Sequence, residues 1–374
     1  MKMKRIGITG QNGFVGTHLY NTLGLLNEKY TRVNFKKSFF GDDTLLDKFV
    51  QECDVIVHLA GMNRHQDPEV IYETNIHLAE KLIAAIKRTQ SNPHIIFSSS
   101  SQEEKDNPYG RSKKEARLKL QTCAEEQGGI FTGLIIPNVF GPFGKPYYNS
   151  VIATFSHQLN HGETPKIEVD ADLNLLYVDE LVQQILQIID DQPNSQAIKI
   201  PHSTSCSVSE ILNLLMSFKE NYLDHGKLLE LNSTFELNLF NTFRSFIDLK
   251  NHYPANYHQH TDDRGAFTEL IRSEIGGQVS FSTTKSGITR GNHFHTRKIE
   301  RFAVIKGKAR IQLRKIGTDE LIEFELDGNE PAFVDMPIWY THNITNVGNE
   351  ELYTVFWINE AFDPANPDTY FEIV

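Results

Sequence analysis

Two sets of side chains in this sequence could do chemistry. The first is Tyr109-Gly110-Arg111-Ser112-Lys113, where a phenol and an amine stand one turn apart on the same face of a helix opening near Pro108. An ammonium at that distance lowers a phenol pKa from about 10, so Tyr109 could pass a proton to a carbonyl oxygen near neutral pH. The second is Gly287-Ile288-Thr289-Arg290-Gly291-Asn292-His293-Phe294-His295 and the residues to Glu300. His293 and His295, at i and i+2, project from one face of a strand, and Glu300 follows across the next turn. With His342, supplied by the distant stretch Asp335-Met336-Pro337-Ile338-Trp339-Tyr340-Thr341-His342, they could surround one cation. Zinc is the first choice for that set, with iron, manganese and nickel as alternatives, because ligand type alone does not select among them.

A third feature binds rather than reacts. Thr9-Gly10-Gln11-Asn12-Gly13-Phe14-Val15-Gly16 follows a strand and opens a helix, so the glycines can turn tightly and let backbone N–H groups approach a pyrophosphate. The choice of dinucleotide rests on Val33-Asn34-Phe35-Lys36-Lys37. No acidic residue is offered there for a ribose 2′-hydroxyl, whereas Lys36 and Lys37 could accept a 2′-phosphate, which favours NADPH.

These residues need elements to hold them. From residue 4 to about 240, short apolar runs alternate with helical periodicity, the pattern of a parallel sheet covered by helices. Strands are expected at 4–9, 54–59, 94–98 and 130–136, and helices at 14–26, 69–88, 108–126, 148–161 and 228–248. Asn251-His252-Tyr253-Pro254-Ala255-Asn256-Tyr257 is a polar, proline-broken join, which puts a domain boundary near 250. Beyond it, alternation at period two in 278–282, 310–314 and 353–357 predicts an antiparallel barrel or sandwich. At 374 residues the chain has length for two domains of about 150 residues or slightly more.

A net charge of -11 argues against nucleic acid or an anionic membrane as the main partner. Three separated cysteines (Cys53, Cys123 and Cys206), an N-terminal apolar run that stops within a few residues, and the lack of any apolar stretch near 20 residues point to a reducing cytoplasm with no membrane span.

With 13 Tyr in the chain, one Tyr–Lys pair at this spacing is expected about once by chance, so the order of motifs carries more weight than the pair. Glycine turn, Asp54 to Gly61, serines 98–101, then Tyr109 and Lys113 resemble the extended short-chain dehydrogenase/reductase family over residues 4 to about 245. The resemblance implies a Rossmann fold, a Ser/Tyr/Lys catalytic set and a nucleotide-sugar substrate. Ser100 falls at the family's catalytic serine, with Ser101 as the alternative. It also implies a cofactor side made of Gly10, Gly13, Phe14, Val15, Gly16, Ala60, Asn75, Tyr109 and Lys113. Pro137-Asn138-Val139-Phe140-Gly141-Pro142 looks like the substrate-side loop, where Asn138 would meet the sugar nucleotide. Tyr177-Val178-Asp179 matches a later element read as structural.

The two histidine stretches resemble the paired motifs of the cupin superfamily, which implies an all-β jelly-roll barrel over 251–374. The second motif departs from the pattern: Trp339 stands where a turn glycine is usual, and Pro331 where the motif would begin with Gly. Thr261-Asp262-Asp263-Arg264-Gly265 and Thr289-Arg290-Gly291-Asn292-His293-Phe294 also look like the deoxysugar 3,5-epimerase branch. There, the histidine matching His293 is a base in a metal-free site; with His295, Glu300 and His342 all present, the ligand role is favoured. Tyr340 is then left as a proton donor or acceptor, and Arg264 and Arg290 could meet substrate phosphates.

With Asp106-Asn107-Pro108-Tyr109-Gly110, Tyr148-Asn149-Ser150-Val151-Ile152-Ala153-Thr154-Phe155, Asp262-Asp263-Arg264-Gly265, Gly287-Ile288-Thr289, Tyr340-Thr341-His342-Asn343-Ile344, and Phe362-Asp363-Pro364 through Pro367-Asp368-Thr369-Tyr370-Phe371, the chain resembles, end to end, a two-domain type of capsular-polysaccharide enzyme. That implies C3 epimerisation of UDP-2-acetamido-2,6-dideoxy-L-arabino-4-hexulose in the cupin part. It further implies NADPH-dependent C4 reduction to the L-talose derivative, on the route to UDP-N-acetyl-L-fucosamine, by a zinc-bearing homodimer. Two alternatives stay open at this level: another 4-keto nucleotide sugar, or a reductase carrying a cupin without chemistry of its own.

Overall fold

The computed structural model describes residues 3–263, 265–271, 276–360 and 362–374. They fall into two compact units, residues 1–154 with 167–208, and residues 155–166 with 209–374. Among the described residues no helix is long and apolar enough to cross a membrane.

The first unit runs β1 (Lys4–Thr9), α1 (Phe14–Leu25), β2 (Tyr30–Val33), α2 (Asp43–Glu52), β3 (Val55–His58), α3 (Pro68–Thr89), β4 (His94–Ser100), α4 (Pro108–Glu126), β5 (Phe131–Ile136) and β6 (Asn138–Phe140). The start of α5 (Val151–Asn160) follows, then β7 (Asp172–Tyr177), α6 (Val178–Asp191), β8 (Ser195–Lys199) and β9 (Thr204–Ser207). Six strands form one sheet in the order β2-β1-β3-β4-β5-β8, with every pairing parallel. A parallel sheet is covered on both faces, so its strands read as unbroken apolar runs, and all four residues of Val55–His58 are buried.

Leu46, Phe49, Leu82 and Leu120 from α2, α3 and α4 make one fully apolar layer, while Leu19, Leu23, Leu181 and Ile185 from α1 and α6 make the other. Each such side chain contributes roughly 1.5–3 kcal/mol on burial. The helices start where short polar side chains accept backbone amides: Asp42 caps α2, Asp67 before Pro68 caps α3, and Asn107 before Pro108 caps α4.

The order of strands matters for function. The chain leaves β1 toward β2 on one side and returns to β3 on the other, so a crevice opens beyond the carboxyl ends of β1 and β3, the place where open α/β sheets bind ligands.

The second unit contains most of α7 (Val208–Phe218), then α8 (Thr234–Arg244), α9 (Leu249–His252), β10 (Ala255–Asn256), β11 (Gln259–Asp262), β12 (Gly265–Thr268), β13 (Gln278–Thr284), β14 (Thr289–Phe294), β15 (Glu300–Lys306) and β16 (Lys308–Lys315). It ends with β17 (Leu321–Asp327), β18 (Ala332–Met336), β19 (Tyr340–Asn346), β20 (Leu352–Ile358) and β21 (Tyr370–Phe371). Two five-stranded sheets, β10-β18-β15-β20-β13 and β17-β16-β19-β14-β21, hold its core, and their pairings are antiparallel.

The helix expected over 228–248 is shorter: Ser233 caps the amide of Glu236, so α8 opens at Thr234. Residues 209–252 pack with the strands that follow them. Buried Arg244 and Tyr222 show how: the Arg244 guanidinium donates to the Met336 carbonyl of β18 at 3.2 Å and to Tyr222 Oη at 3.0 Å, and Tyr222 donates to Asp335 of the same strand.

Candidate active site and metal centre

The glycine turn lies at the β1/β3 crevice. Gly10 has φ +80°, and a Cβ there would sit 2.8 Å from the Ala60 amide nitrogen in the loop after β3. A Cβ on Gly16 would stand 2.2 Å from the Gly10 carbonyl oxygen, and one on Gly13 at 3.2 Å from the same atom. Gly13 precedes α1 without a side-chain cap, and the first turn of α1, which holds Phe14, Val15 and Gly16, carries no acidic residue. The amides of that turn are thus free to meet an anion at the positive end of the helix. Gln11 ties this loop to the end of β2, accepting the Phe35 amide at 3.1 Å. Lys36 and Lys37 follow β2 and are exposed.

Ser100, Tyr109 and Lys113 come together beside this crevice. β4 delivers the serine run, and Ser100 hydrogen-bonds the Tyr109 phenol, whereas Ser101 opens the following 3-10 turn. One helical turn along α4, the Lys113 ammonium, 5 % exposed, donates to the Ser98 carbonyl at 2.9 Å and lies 5.9 Å from the Tyr109 ring centre. The depressed phenol expected from sequence is not what this packing produces. Burial pushes Tyr109 up to about 12, against the hydrogen bond to Ser100, and the charge of Tyr148 adds to the rise. Burial likewise pushes Lys113 down to about 8, against the pull of the Glu103 carboxylate. Desolvation is the largest cause of both shifts, and Tyr109 is a protonated donor at neutral pH.

Asn75, 4 % exposed, holds the loop beyond Ala60: its Oδ1 accepts the Met62 amide at 2.6 Å, and its Nδ2 donates to the Met62 carbonyl at 2.9 Å and to Ser112 Oγ at 3.0 Å. Ser112 in turn donates to the Tyr109 carbonyl at 2.7 Å, so Asn75 joins the loop after β3 to the Tyr109 turn of α4. Asn138 opens β6, exposed, in register with Leu175 of β7.

In the second unit, His293, His295, Glu300 and His342 each offer one ligand atom, all within 4.8 Å of one another. A bulge on β14 between Gly291 and His293 brings His293 into register with His342 on β19. Glu300 arrives from β15 in the facing sheet, with its Oε2 3.1 Å from His295 Nε2 and 3.2 Å from His342 Nε2. None of these three buried atoms has a hydrogen-bond partner of acceptable geometry. Buried polar atoms left this way are costly, and convergence of two imidazole nitrogens and a carboxylate oxygen on one point is the donor set of a divalent transition metal. Burial, with the charge of His342 next, pushes His293 down to about 4, which leaves it the neutral imidazole a metal requires.

Trp339 has φ +61°, the left-handed conformation a turn glycine would adopt there. Its ring stacks on Phe294 at 5.6 Å, and its amide donates to the His295 carbonyl at 2.8 Å. Tyr340 shares the His342 face of β19, at i and i+2, and burial pushes its phenol up to about 12, with the Glu320 charge adding. Arg290 donates to Thr284 Oγ1 and to the Thr283 carbonyl, each at 3.0 Å. Arg264 lies outside the described residues.

Sequence reading missed the residues that support these sites. Glu103 accepts from Ser99 and pairs with buried Arg117 at 2.8 Å, anchoring the turn after Ser100. Asp368 caps the turn between His295 and Glu300. Ser99 is four residues from Glu103, but Arg117 lies 14 residues away and the amides that Asp368 accepts lie about 70 residues away, beyond any local pattern.

Comparison with known proteins gives matches along the whole chain. Residues 6–200 match the NAD dependent epimerase/dehydratase family, and residues 260–370 match the polysaccharide biosynthesis C-terminal domain. UDP-2-acetamido-2,6-beta-L-arabino-hexul-4-ose reductase of Pseudomonas aeruginosa is 34% identical over 372 residues, 98% of each chain. The crystal structure of capsular polysaccharide assembling protein CapF from Staphylococcus aureus is 36% identical, with 99% of this chain and 100% of that one covered and a TM-score of 0.62. RMD from Pseudomonas aeruginosa, at 20% identity over 58% of this chain and 83% of its own, with a TM-score of 0.52, shares the fold.

Proposed function

The chain belongs to the NAD dependent epimerase/dehydratase family, and on that premise we propose that it performs two consecutive steps on one UDP-4-keto-6-deoxy amino sugar. The first is C3 epimerisation of UDP-2-acetamido-2,6-dideoxy-L-arabino-4-hexulose in a cupin-type barrel over residues 251–374. The second is C4 reduction to UDP-2-acetamido-2,6-dideoxy-L-talose in the reductase part, residues 1–250. The product leads toward UDP-N-acetyl-L-fucosamine for surface polysaccharide. The observation that carries this reading is the presence, in one chain, of a Ser–Tyr–Lys set beside a glycine cradle and a separate buried cluster of three histidines and a glutamate. The near full-length relative named as a reductase of a UDP-hexulose supports the substrate class.

In the reductase part, Gly10, Gly13 and Gly16 leave the room a Cβ would fill, which fits a pyrophosphate on the α1 amides. NADPH supplies the hydride for C4, and exposed Lys36 and Lys37 favour its 2′-phosphate. Ser100 orients the C4 oxygen. Tyr109, protonated at neutral pH, gives that oxygen its proton. Lys113 holds positive charge beside the phenol, which eases the loss of that proton.

In the barrel, His293, His295, Glu300 and His342 would hold a divalent metal, with zinc the first candidate. Such an ion supplies a Lewis acid that makes a hydrogen next to a ketone easier to remove. Tyr340, two residues from His342 on the same strand face, is the proposed proton donor or acceptor at C3. Because Glu300 joins two facing sheets, a second reading keeps the metal as a structural staple with no chemistry. The family-implied homodimer belongs to this proposal as well.

Proton NMR of the 4-keto UDP-sugar in deuterated water tests the reading with the intact protein. Without NADPH, the wild type should remove the C3 proton signal. Tyr109→Phe should keep that exchange and lose reduction, and Glu300→Gln should lose exchange. No exchange in the wild type would overturn the epimerase step, and undiminished exchange in Glu300→Gln would favour the staple.

A further inference from the structure

We infer that Asp368 is a positioning residue for the metal cluster, acting through the turn that carries His295; this rests on the metal reading above. Three of the four candidate ligands, His293, His295 and Glu300, flank one short connection between β14 and β15. Such a turn has backbone amides at 296–298 with no ladder partner, and unsatisfied amides would let it drift.

One carboxylate satisfies all three. Asp368 Oδ1 accepts the Thr296 amide at 3.0 Å and the Thr296 hydroxyl at 2.6 Å, while Oδ2 accepts the amides of Arg297 and Lys298, each at 3.0 Å. Asp368 is 3 % exposed and has φ +41°, a conformation unusual for a residue with a side chain. Its own backbone carbonyl faces His295 Nδ1 within hydrogen-bonding distance. A carbonyl only accepts, so Nδ1 carries the hydrogen and Nε2, the atom 3.1 Å from Glu300 Oε2, keeps its lone pair for a ligand. His342 is set the same way, with Nδ1 3.2 Å from the Tyr340 carbonyl.

The segment around Asp368 is fastened on both sides of the cluster. β21 pairs with β14 at His293 and Phe294, buried Lys298 donates to the Pro367 carbonyl at 2.8 Å, and Thr341 donates to the Glu372 carbonyl. A terminal segment thereby aims ligands that sit some 70 residues earlier in the chain.

The test uses the full-length protein, loaded with zinc for affinity, by competition with a chromophoric chelator, and with cobalt(II) for its visible spectrum. The wild type should bind one metal per chain. Asp368→Asn keeps the shape but replaces one accepting oxygen with a donor, so it should bind about 10–100-fold more weakly. Its cobalt bands should shift, with NADPH affinity unchanged. Wild-type affinity and an unchanged cobalt spectrum in folded Asp368→Asn would overturn the inference alone. A wild type that binds no metal would overturn the metal reading and this inference with it. If Asp368→Asn does not fold, Thr296→Val, which removes one of the four bonds to the carboxylate, carries the test: a smaller loss of affinity with a shifted spectrum supports the role, and neither change overturns it.

Discussion

Gly16→Ala isolates the close approach at the glycine turn. The added Cβ would lie 2.2 Å from the Gly10 carbonyl oxygen and 2.9 Å from Gln11 Cα, where ordinary contact begins at 3.4 Å. Both neighbours are backbone, so the loop or the first turn of α1 must move by about 1 Å. A displacement of about 1 Å in a positioning element costs on the order of 10²-fold, or about 2.8 kcal/mol. The same methyl at Gly13 meets Gly10 O at 3.2 Å, which a shift of a few tenths of an ångström relieves, and at Gly41 it meets nothing within 4 Å. The expected series in NADPH dissociation constant, by isothermal titration calorimetry, is therefore a loss of about 100-fold for Gly16→Ala, a few-fold for Gly13→Ala and none for Gly41→Ala. Gly41→Ala should also gain about 0.4–1 kcal/mol of stability through its stiffer unfolded chain. Circular dichroism confirms that each variant is folded. A folded Gly16→Ala with the parent's dissociation constant would refute the reasoning, because the crowded atoms would then not be those that hold the cofactor.

Three further outcomes follow from burial. Lys113 is pushed down to about 8, so it is charged in folded and unfolded chains below that value and neutral only in the folded chain between about 8 and its ordinary pKa near 10.4. The unfolded state then binds more protons, and this group makes stability rise with pH across that window. The reductase rate should fall in the same window as the charge beside Tyr109 is lost, and a flat pH–rate profile from 7 to 10 would contradict the assignment. Asp335 is 1 % exposed and takes a bidentate pair from Arg301 at 2.7 and 2.9 Å. Asp335→Ala should cost about 3–5 kcal/mol in urea denaturation, because a buried guanidinium is left uncompensated. Trp339→Gly relieves a left-handed conformation worth about 1–2 kcal/mol but removes an indole worth about 3–5 kcal/mol. The net loss should be about 2 kcal/mol, and a stabilised variant would show that strain dominates.

The limits of sequence reading fall where contacts become long-range. The glycine turn, the caps at Asp67 and Asn107, the strand–helix alternation and the Tyr109–Lys113 spacing are local features, within one turn or one strand, and the chain's covalent geometry is enough to set them. The pair His293 and His295 is local in the same sense, since alternation along an extended segment puts both on one face. Tertiary structure alone decided the rest. Ser100, and not Ser101, is the serine that meets Tyr109, because β4 continues to that residue before the chain turns. The direction of the Tyr109 and Lys113 shifts was not legible, since desolvation, the largest cause of both, depends on everything packed around them. The grouping of residues 209–252 with the antiparallel strands of the second unit shows in the bond from buried Arg244 to the Met336 carbonyl. The Glu300 contacts with His295 and His342, and the Asp368 cap, join segments whose separation in sequence carries no periodic signal. Spacing names the types of side chain available for chemistry; packing sets which atoms face each other, and with what charge.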